Sequence, residues 1–259
     1  MSQTWSTRHR CPSPLGAWAA LSLLLTLIAA TPFTRPASGA VAGAYFTPMP
    51  EPGRFAAAAH VAMIRRDAIE YDDQYHPSLD RTGMILDTTA YYVQVSYGIW
   101  RELAFDLLLG WIAGGEDTSE AAGFDDAPAW GFGVRYGIWH FQGVDVRINA
   151  AFQYLCSEPA AGSADQQAWR TRWEDWQLSV DAAKSWDRFT FYAGLRHSDL
   201  LNPYTHPSAS GTREGGIGAE NNTGVFVGLA AELAHDSGVS LELHALDERG
   251  VLFGVYHRF

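Results

Sequence analysis

The sequence contains little lysine, little cysteine and, after its first 40 residues, no long apolar run. Lys184 is the single lysine, and 29 acidic residues outnumber 18 basic ones, for a formal net charge of −11. Nucleic-acid-binding surfaces are basic, so this balance argues against nucleic acid as a partner. Only Cys11 and Cys156 occur, which excludes a zinc site made of cysteines. A helical membrane protein is unexpected, because it needs apolar runs of about 18 residues.

The first 40 residues have the three parts of a secretory signal peptide. Arg8 and Arg10 form a basic start, a mostly apolar run covers 15–30, and small residues surround the expected cleavage point at 39–42. The apolar run is short for a membrane-spanning helix, which needs about 20 residues. We therefore expect residues 1–40 to be cleaved and the mature chain to lie outside the cytoplasm.

The rest of the chain is dominated by alternation of apolar with small or polar residues, the pattern of β-strands with two unlike faces. In the clearest segment, the even positions of 130–138 are all large and apolar, whereas the odd positions are three glycines and Arg135. Segments of about ten residues match a tilted strand that crosses a bilayer. The predicted strands lie near 54–64, 89–99, 103–112, 129–139, 144–155, 175–185, 189–198, 223–233, 239–246 and 250–259.

The connections between these segments alternate in length. Short turns alternate with long connections at 65–88, 113–128, 156–174 and 199–222, and the last long position holds only 247–249. An even number of strands joined in this way predicts an all-β fold, a transmembrane antiparallel up-and-down barrel. We expect ten strands over residues 54–259, with eight or twelve as alternatives, after a short N-terminal segment over 41–53.

The two faces of the predicted strands differ in composition, and this favours a membrane barrel over a soluble one. A water-exposed strand face favours Thr, Lys, Glu and Gln, whereas the non-apolar face here is rich in Gly, Ala and Ser, which suit a crowded lumen. The apolar face carries aromatic residues near strand ends, as expected at two membrane interfaces. These interface aromatics are Trp111, Trp130, Tyr154 and Trp176 at the long-loop ends, and Tyr97, Tyr136, Trp186, Phe189 and Phe259 at the short-turn ends.

The charged residues on the inward face nearly balance in sign. Buried charges must be paired or wetted, so we expect a polar network that holds the barrel rigid, with a narrow solute path as the alternative. A ring of one sign would indicate an ion-selective pore, and ten strands enclose too little space for a general porin. The predicted lumen network consists of Asp106, Arg135, Asp145, Arg147, Asp181, Arg196, Glu232, Glu242 and Arg258.

The last nine residues, Val251–Phe259, alternate apolar residues with others and end on an aromatic. With the repeated strands and the signal peptide, this end resembles the closing strand of bacterial outer-membrane β-barrels, although His257 stands where that family has an apolar residue. The resemblance implies an outer-membrane location, a periplasmic N-terminal segment over 41–53, periplasmic short turns and extracellular long loops. It also implies as partners the outer-membrane lipids, lipopolysaccharide and the assembly machinery that recognises the C-terminal strand.

Two enzyme families provide an alternative function. Ten strands are also the architecture of omptin outer-membrane proteases, and the stretch 196–203 resembles part of the lipid A deacylases around Ser198. The residues of matching type for a protease are Asp72, Asp73, His76, His197 and Asp199. A Ser nucleophile needs a His within reach, whereas neighbours on one strand point to opposite faces. We therefore expect no enzyme, no catalytic residues, no metal and no cofactor.

The expected protein is thus an outer-membrane barrel with a narrow, charge-balanced lumen and long acidic extracellular loops. Two roles stay open: a structural or surface-interaction role, and a narrow channel for small solutes. The alternative is an outer-membrane enzyme, either an omptin-like protease or a lipid A-modifying hydrolase.

Overall fold

The computed structural model describes residues 41–42, 47–71, 81–114, 127–141, 146–157, 170–171, 173–208, 211–234 and 236–259. The predicted signal peptide lies outside the described residues. Within the described ranges, no helix is long and apolar enough to cross a membrane.

Fourteen strands follow one another along the described chain. They are β1 (Val41–Ala42), β2 (Thr47–Pro48), β3 (Phe55–Tyr71), β4 (Arg81–Trp100), β5 (Leu103–Gly114), β6 (Ala127–Phe141), β7 (Val146–Ser157), β8 (Arg170–Thr171), β9 (Trp173–Trp186), β10 (Phe189–Ser208), β11 (Gly211–Ala219), β12 (Thr223–Ala234), β13 (Ser237–Ala245) and β14 (Glu248–Arg258). Ten of them form a barrel: β3 to β7, β9, β10 and β12 to β14.

The barrel is closed by its first and last strands. Each barrel strand pairs antiparallel with the next, and β14 pairs with β3 from Glu248 opposite Arg66 to Arg258 opposite Ala56. A closed sheet has no edge, so the backbone groups of its strands find partners without water. The predicted fold class, a ten-stranded antiparallel barrel, is confirmed.

Several strands continue beyond the predicted segments on the long-loop side. β3 pairs with β4 to its last residue, β10 pairs with β11 over 201–208, and β11 also pairs with β3. The connections 65–88 and 199–222, predicted as loops, therefore contain paired strands. The apolar alternation stops there because outward residues such as Arg65 and Asp87 are charged, whereas backbone pairing does not require apolar side chains.

Exposure alternates along the barrel strands as the predicted faces require. On β4, Tyr91 and Val93 are about half exposed (49% and 51%), whereas Tyr92 and Gln94 are buried. Because the sheet is closed, the buried side chains point into the lumen and the exposed ones cover the outer wall.

Aromatic rings inside the lumen lie over glycines of the neighbouring strand. Tyr192 stands opposite Gly228, and Phe226 stands opposite Gly194, so β10 and β12 exchange reciprocal pairs. A Cβ on Gly228 would lie 2.0 Å from Tyr192 Cζ, and one on Gly194 would lie 2.5 Å from Phe226 Cζ. Two more pairs of this kind are Tyr92 with Gly110 and Tyr256 with Gly238. The inward glycines thus make room for rings that fill the lumen.

Candidate functional site

Eight side chains form an ionic and hydrogen-bonded cluster in the half of the lumen nearer the long connections, which we name the upper lumen network. All of them are buried except Asp175, whose side chain is partly buried. The members are Arg66, Asp175, Arg196, Ser198, Glu242, His244, Asp247 and Glu248.

Arg66 joins opposite walls of the barrel. Its Nη2 lies 2.7 Å from Glu248 Oε2 on the adjacent strand β14 and donates to Ser198 Oγ at 3.1 Å. Its Nη1 lies 3.5 Å from Asp175 Oδ2 on β9. In the strand order, β9 is five strands from β3 in either direction, so this ion pair crosses the full width of the lumen.

Arg196 anchors the turn between β13 and β14 to the inside of the barrel. Its Nε and Nη2 donate to the two carboxylate oxygens of Asp247 at 2.8 and 2.9 Å, a bidentate pair. Ser198 Oγ and the backbone N–H of Glu248 also donate to that carboxylate. His244 bridges Glu242 and Glu248 through its two ring nitrogens. The Asp247 carboxylate in this turn therefore points into the lumen, where it pairs with Arg196.

A second polar cluster, the lower lumen network, lies nearer the short turns. Arg135 Nε and Nη2 donate to Asp106 at 2.7 Å each, and Nη2 also donates to Ser96 Oγ at 2.8 Å. Gln94 Nε2 donates to Ser96 Oγ at 3.4 Å, and His60 Nε2 lies 3.1 Å from Gln94 Oε1. One guanidinium again satisfies groups from several strands.

An apolar layer lies between the two networks on the walls from β14 through β3 to β7. On β3, Ala62 and Ile64 belong to it, between His60 of the lower network and Arg66 of the upper one, and Tyr92 packs into the same cluster. A cavity of about 20 Å³ at the boundary of this layer is lined by residues that include Arg66 and Tyr92. That volume holds about one water molecule.

The N-terminal segment lies across the short-turn end. β1 contacts β6, β7 and β9, whereas β2 contacts β3 and β14 on the opposite wall. Met49 is buried and packs against the inward-facing Ala104. At the same end, on β14 and β12, Arg258 Nη2 donates to Glu232 Oε1 at 3.0 Å. Both polar and apolar contacts thus occur at this end of the barrel.

The predicted lumen residues are distributed over several groups. Arg196 and Glu242 belong to the upper network, Arg135 and Asp106 to the lower one, and Asp181 Oδ1 accepts from Asn149 Nδ2 at 2.9 Å. Glu232 and Arg258 pair with each other at the short-turn end. Arg147 is half-buried. Asp145 lies outside the described residues.

The predicted interface aromatics all lie on the outer wall. Six are exposed: Tyr97, Trp111, Tyr136, Trp186, Phe189 and Phe259. Trp130, Tyr154 and Trp176 are partly exposed, because Trp130 packs on Tyr154, with ring centroids 6.2 Å apart, and Trp176 packs on His197 at 5.5 Å.

The structure does not bring the suggested catalytic residues together. Ser198 is fully buried and donates to Asp247, whereas His197 is exposed on the outer wall. Asp72, Asp73 and His76 lie outside the described residues. Among the residues that the structure does describe, no group of three or more His, Cys, Asp or Glu side chains could hold a metal ion.

Sequence reasoning missed four charged members of the upper network. Arg66 was expected in a long loop, Asp247 and Glu248 in a short connection, and Asp175 was not singled out. One signal could have indicated Arg66: it follows Ala62 and Ile64 in the inward phase of β3, so extending that strand by two residues places it in the lumen.

No protein-family model and no curated protein sequence matches this chain. The translocator domain of the autotransporter NalP from Neisseria meningitidis is 11% identical, with a TM-score of 0.42, over 95% of this chain and 97% of that one. The outer membrane protein AlkL in DMPC lipid bilayers is 10% identical, with a TM-score of 0.42, over 88% and 97%. The Pseudomonas putida toluene transporter TodX is 9% identical, with a TM-score of 0.31, over 80% and 88%. The chain is similar to these proteins in fold alone, and the closed ten-stranded antiparallel barrel is the fold that the resemblance seen in the sequence implies.

Proposed function

We propose that this chain is an outer-membrane β-barrel with a closed lumen, which acts through its extracellular surface in a structural or interaction role. The outer wall supports the membrane location. Trp176 and Trp186 lie ten residues apart on β9, about 34 Å along the strand and about 26 Å along the membrane normal at a tilt of about 40°. The apolar band of such barrels is about 25 Å tall.

The ion pair between Arg66 and Asp175 carries the proposal of a closed lumen. It joins β3 and β9 across the full width of the barrel, and Glu248 binds the same guanidinium. A solute that passed this level would have to separate buried charges, and removing one partner of a buried pair costs about 3–5 kcal/mol. A surface role is therefore favoured over passage through the barrel.

The strands that extend above the barrel provide the surface. β4 pairs with β5 only from Thr88 onward, whereas its pairing with β3 begins at Arg81. Seven residues of strand correspond to about 24 Å. We propose that lipopolysaccharide and other surface partners bind to this paired sheet. β11, the upper part of β10 and the acidic connections would belong to the same surface.

Planar-bilayer recording of the refolded protein tests the closed lumen. We expect insertion without discrete conductance steps, because two polar networks and an apolar layer fill the interior. Insertion is established independently by a different gel mobility of unheated and boiled samples. Discrete steps from the unmodified protein would contradict the proposal and support the narrow small-solute channel. Arg147→Ala, a change at a half-buried position near the short turns, would then locate the path by altering the step size.

The expectation that the chain is not an enzyme stays a prediction. Hydrolysis of lipid A or of a peptide by the refolded protein, abolished by His197→Ala, would contradict it and support the outer-membrane hydrolase alternative.

A further inference from the structure

The outer wall carries an open apolar groove of about 530 Å³ that crosses β7, β9, β10, β12 and β13. We propose that this groove binds an anionic phospholipid of the periplasmic leaflet, with an acyl chain in the groove and the headgroup phosphate on Lys184. The inference rests on the proposed membrane location and orientation of the barrel. The volume is within the range of about 300–1,000 Å³ typical of small-molecule sites.

The groove exists because two small residues stand side by side in a band of large ones. Ala182 and Ala193 face each other on β9 and β10, and both are exposed on the outer wall. Phe191, Val227 and Leu243 surround them on the same face. The large apolar neighbours of the two alanines leave a depression between them. An acyl chain makes more close contacts in this depression than it would on a flat wall.

Lys184 lies at the end of the groove nearer the short turns. Phe191 is its partner on β10, and Val146 is its partner on β7. Trp186, two residues further along β9, belongs to the short-turn row of interface aromatics. The butyl stem of the lysine can therefore cover the wall while its ammonium reaches the periplasmic headgroups.

Charge selects the headgroup. Between the two rows of interface aromatics, Lys184 is the one Lys, Arg, Asp or Glu side chain exposed on the outer wall of the described chain, and no described carboxylate pairs with it. A single ammonium in an apolar band attracts an anionic lipid more strongly than a zwitterionic one. An apolar groove that ends at a lone cation thus matches the two parts of an anionic phospholipid.

Native mass spectrometry of the refolded full-length protein in detergent tests this site. The probes are phosphatidylglycerol and phosphatidylcholine with identical acyl chains. We expect the unmodified protein to retain phosphatidylglycerol preferentially, and Lys184→Gln to reduce that preference about fivefold, the effect of one lysine near an anionic surface. Ala193→Phe, which fills the groove, is expected to reduce retention of both lipids.

Two matched variants separate the site from general effects of charge and size. Ala59→Phe adds a ring to an exposed alanine on β3, outside the groove, and should leave lipid retention unchanged. His257→Lys in the Lys184→Gln background places a lysine two residues from Phe259, a similar depth on another part of the wall, and should not restore the preference.

Equal retention of the two lipids, an unchanged preference in Lys184→Gln, or restoration by the lysine at position 257 would each overturn the inference. A dimer that Ala193→Phe dissociates would also overturn it, since a second copy would then occupy the groove. Failure of the proposed function is distinguishable, because a protein that does not insert shows no mobility difference between unheated and boiled samples.

Discussion

Replacing Arg66 with alanine is expected to lower the free energy of unfolding of the refolded barrel by about 3–5 kcal/mol. The Arg66 side chain is 3% exposed and lies between two carboxylates. Its loss leaves Asp175 without its ion-pair partner and removes one of two arginines that neutralise the buried Glu248. Urea titration of the refolded protein in lipid vesicles, followed by tryptophan fluorescence and gel mobility, measures the change.

The adjacent Arg65 is the matched control. It points to the outer face of the same strand and pairs with Asp87 at 3.8 Å, with both side chains about half exposed (52% and 51%). Exposed pairs contribute about 0–1 kcal/mol, so Arg65→Ala should change stability by less than about 1 kcal/mol. Equal effects of the two substitutions would show that burial in the lumen does not decide the strength of the Arg66 pairs.

The Arg66→Ala variant also tests whether the residue that stabilises the barrel blocks the passage of ions through its lumen. If this guanidinium alone closes the lumen, Arg66→Ala should show ion conductance in planar bilayers that the unmodified protein lacks, with gel mobility showing that the variant is folded. A closed Arg66→Ala barrel would assign the block to the apolar layer around Tyr92 and Ile64. Asp175→Asn retains the size of the side chain and removes only its charge. Conductance in this variant would therefore assign the block to the ion pair rather than to the apolar layer.

The ten strands could be predicted from the sequence because a membrane barrel has a two-residue period with unlike faces. Lipid requires apolar residues on one face, and a narrow lumen requires small residues on the other. The segment 130–138 shows both requirements, and it lies within β6. Outside the bilayer, the outer face no longer needs to be apolar. The upper parts of β3, β4 and β10 therefore could not be recognised from the same pattern.

The upper lumen network could not be predicted because it depends on which walls meet. Arg66 and Glu248 are 182 positions apart and become neighbours only when β14 closes the barrel on β3. The contact between Arg66 and Asp175 further depends on the tilt and stagger of ten strands, which set the heights of residues on opposite walls. Local pattern contains no information on that stagger. Residues 247–249 were therefore predicted only as a short connection.

The inward glycines were predicted as a class, but not their purpose. Small residues were expected to suit a crowded lumen, and each of four of them instead lies beneath an aromatic ring of the adjacent strand. Once the hairpin registers are known, these pairs follow from the sequence, because each ring is directly opposite its glycine. Lumen packing is thus determined by register rather than by composition.

Gly228→Ala is expected to lower the free energy of unfolding by about 2–3 kcal/mol, the upper range for adding a methyl group to a packed interior. The new Cβ would lie 2.0 Å from Tyr192 Cζ and 2.2 Å from its hydroxyl oxygen. Tyr192 cannot easily withdraw, because it is 3% exposed and packs on Phe226 at a centroid distance of 6.3 Å. The same urea titration in vesicles measures the loss.

Gly137→Ala on β6 is the matched control, since its nearest neighbour to an added Cβ is Glu102 Cβ at 3.7 Å. The contact there is an ordinary one, and alanine loses less backbone entropy on folding than glycine does. Gly137→Ala should therefore leave the free energy of unfolding unchanged or raise it by about 0.5–1 kcal/mol. In a Tyr192→Leu background the ring is gone, so Gly228→Ala should lose most of its penalty. A penalty that persisted without the ring would place the strain in the β10–β12 backbone and refute ring-over-glycine packing as the reason for Gly228.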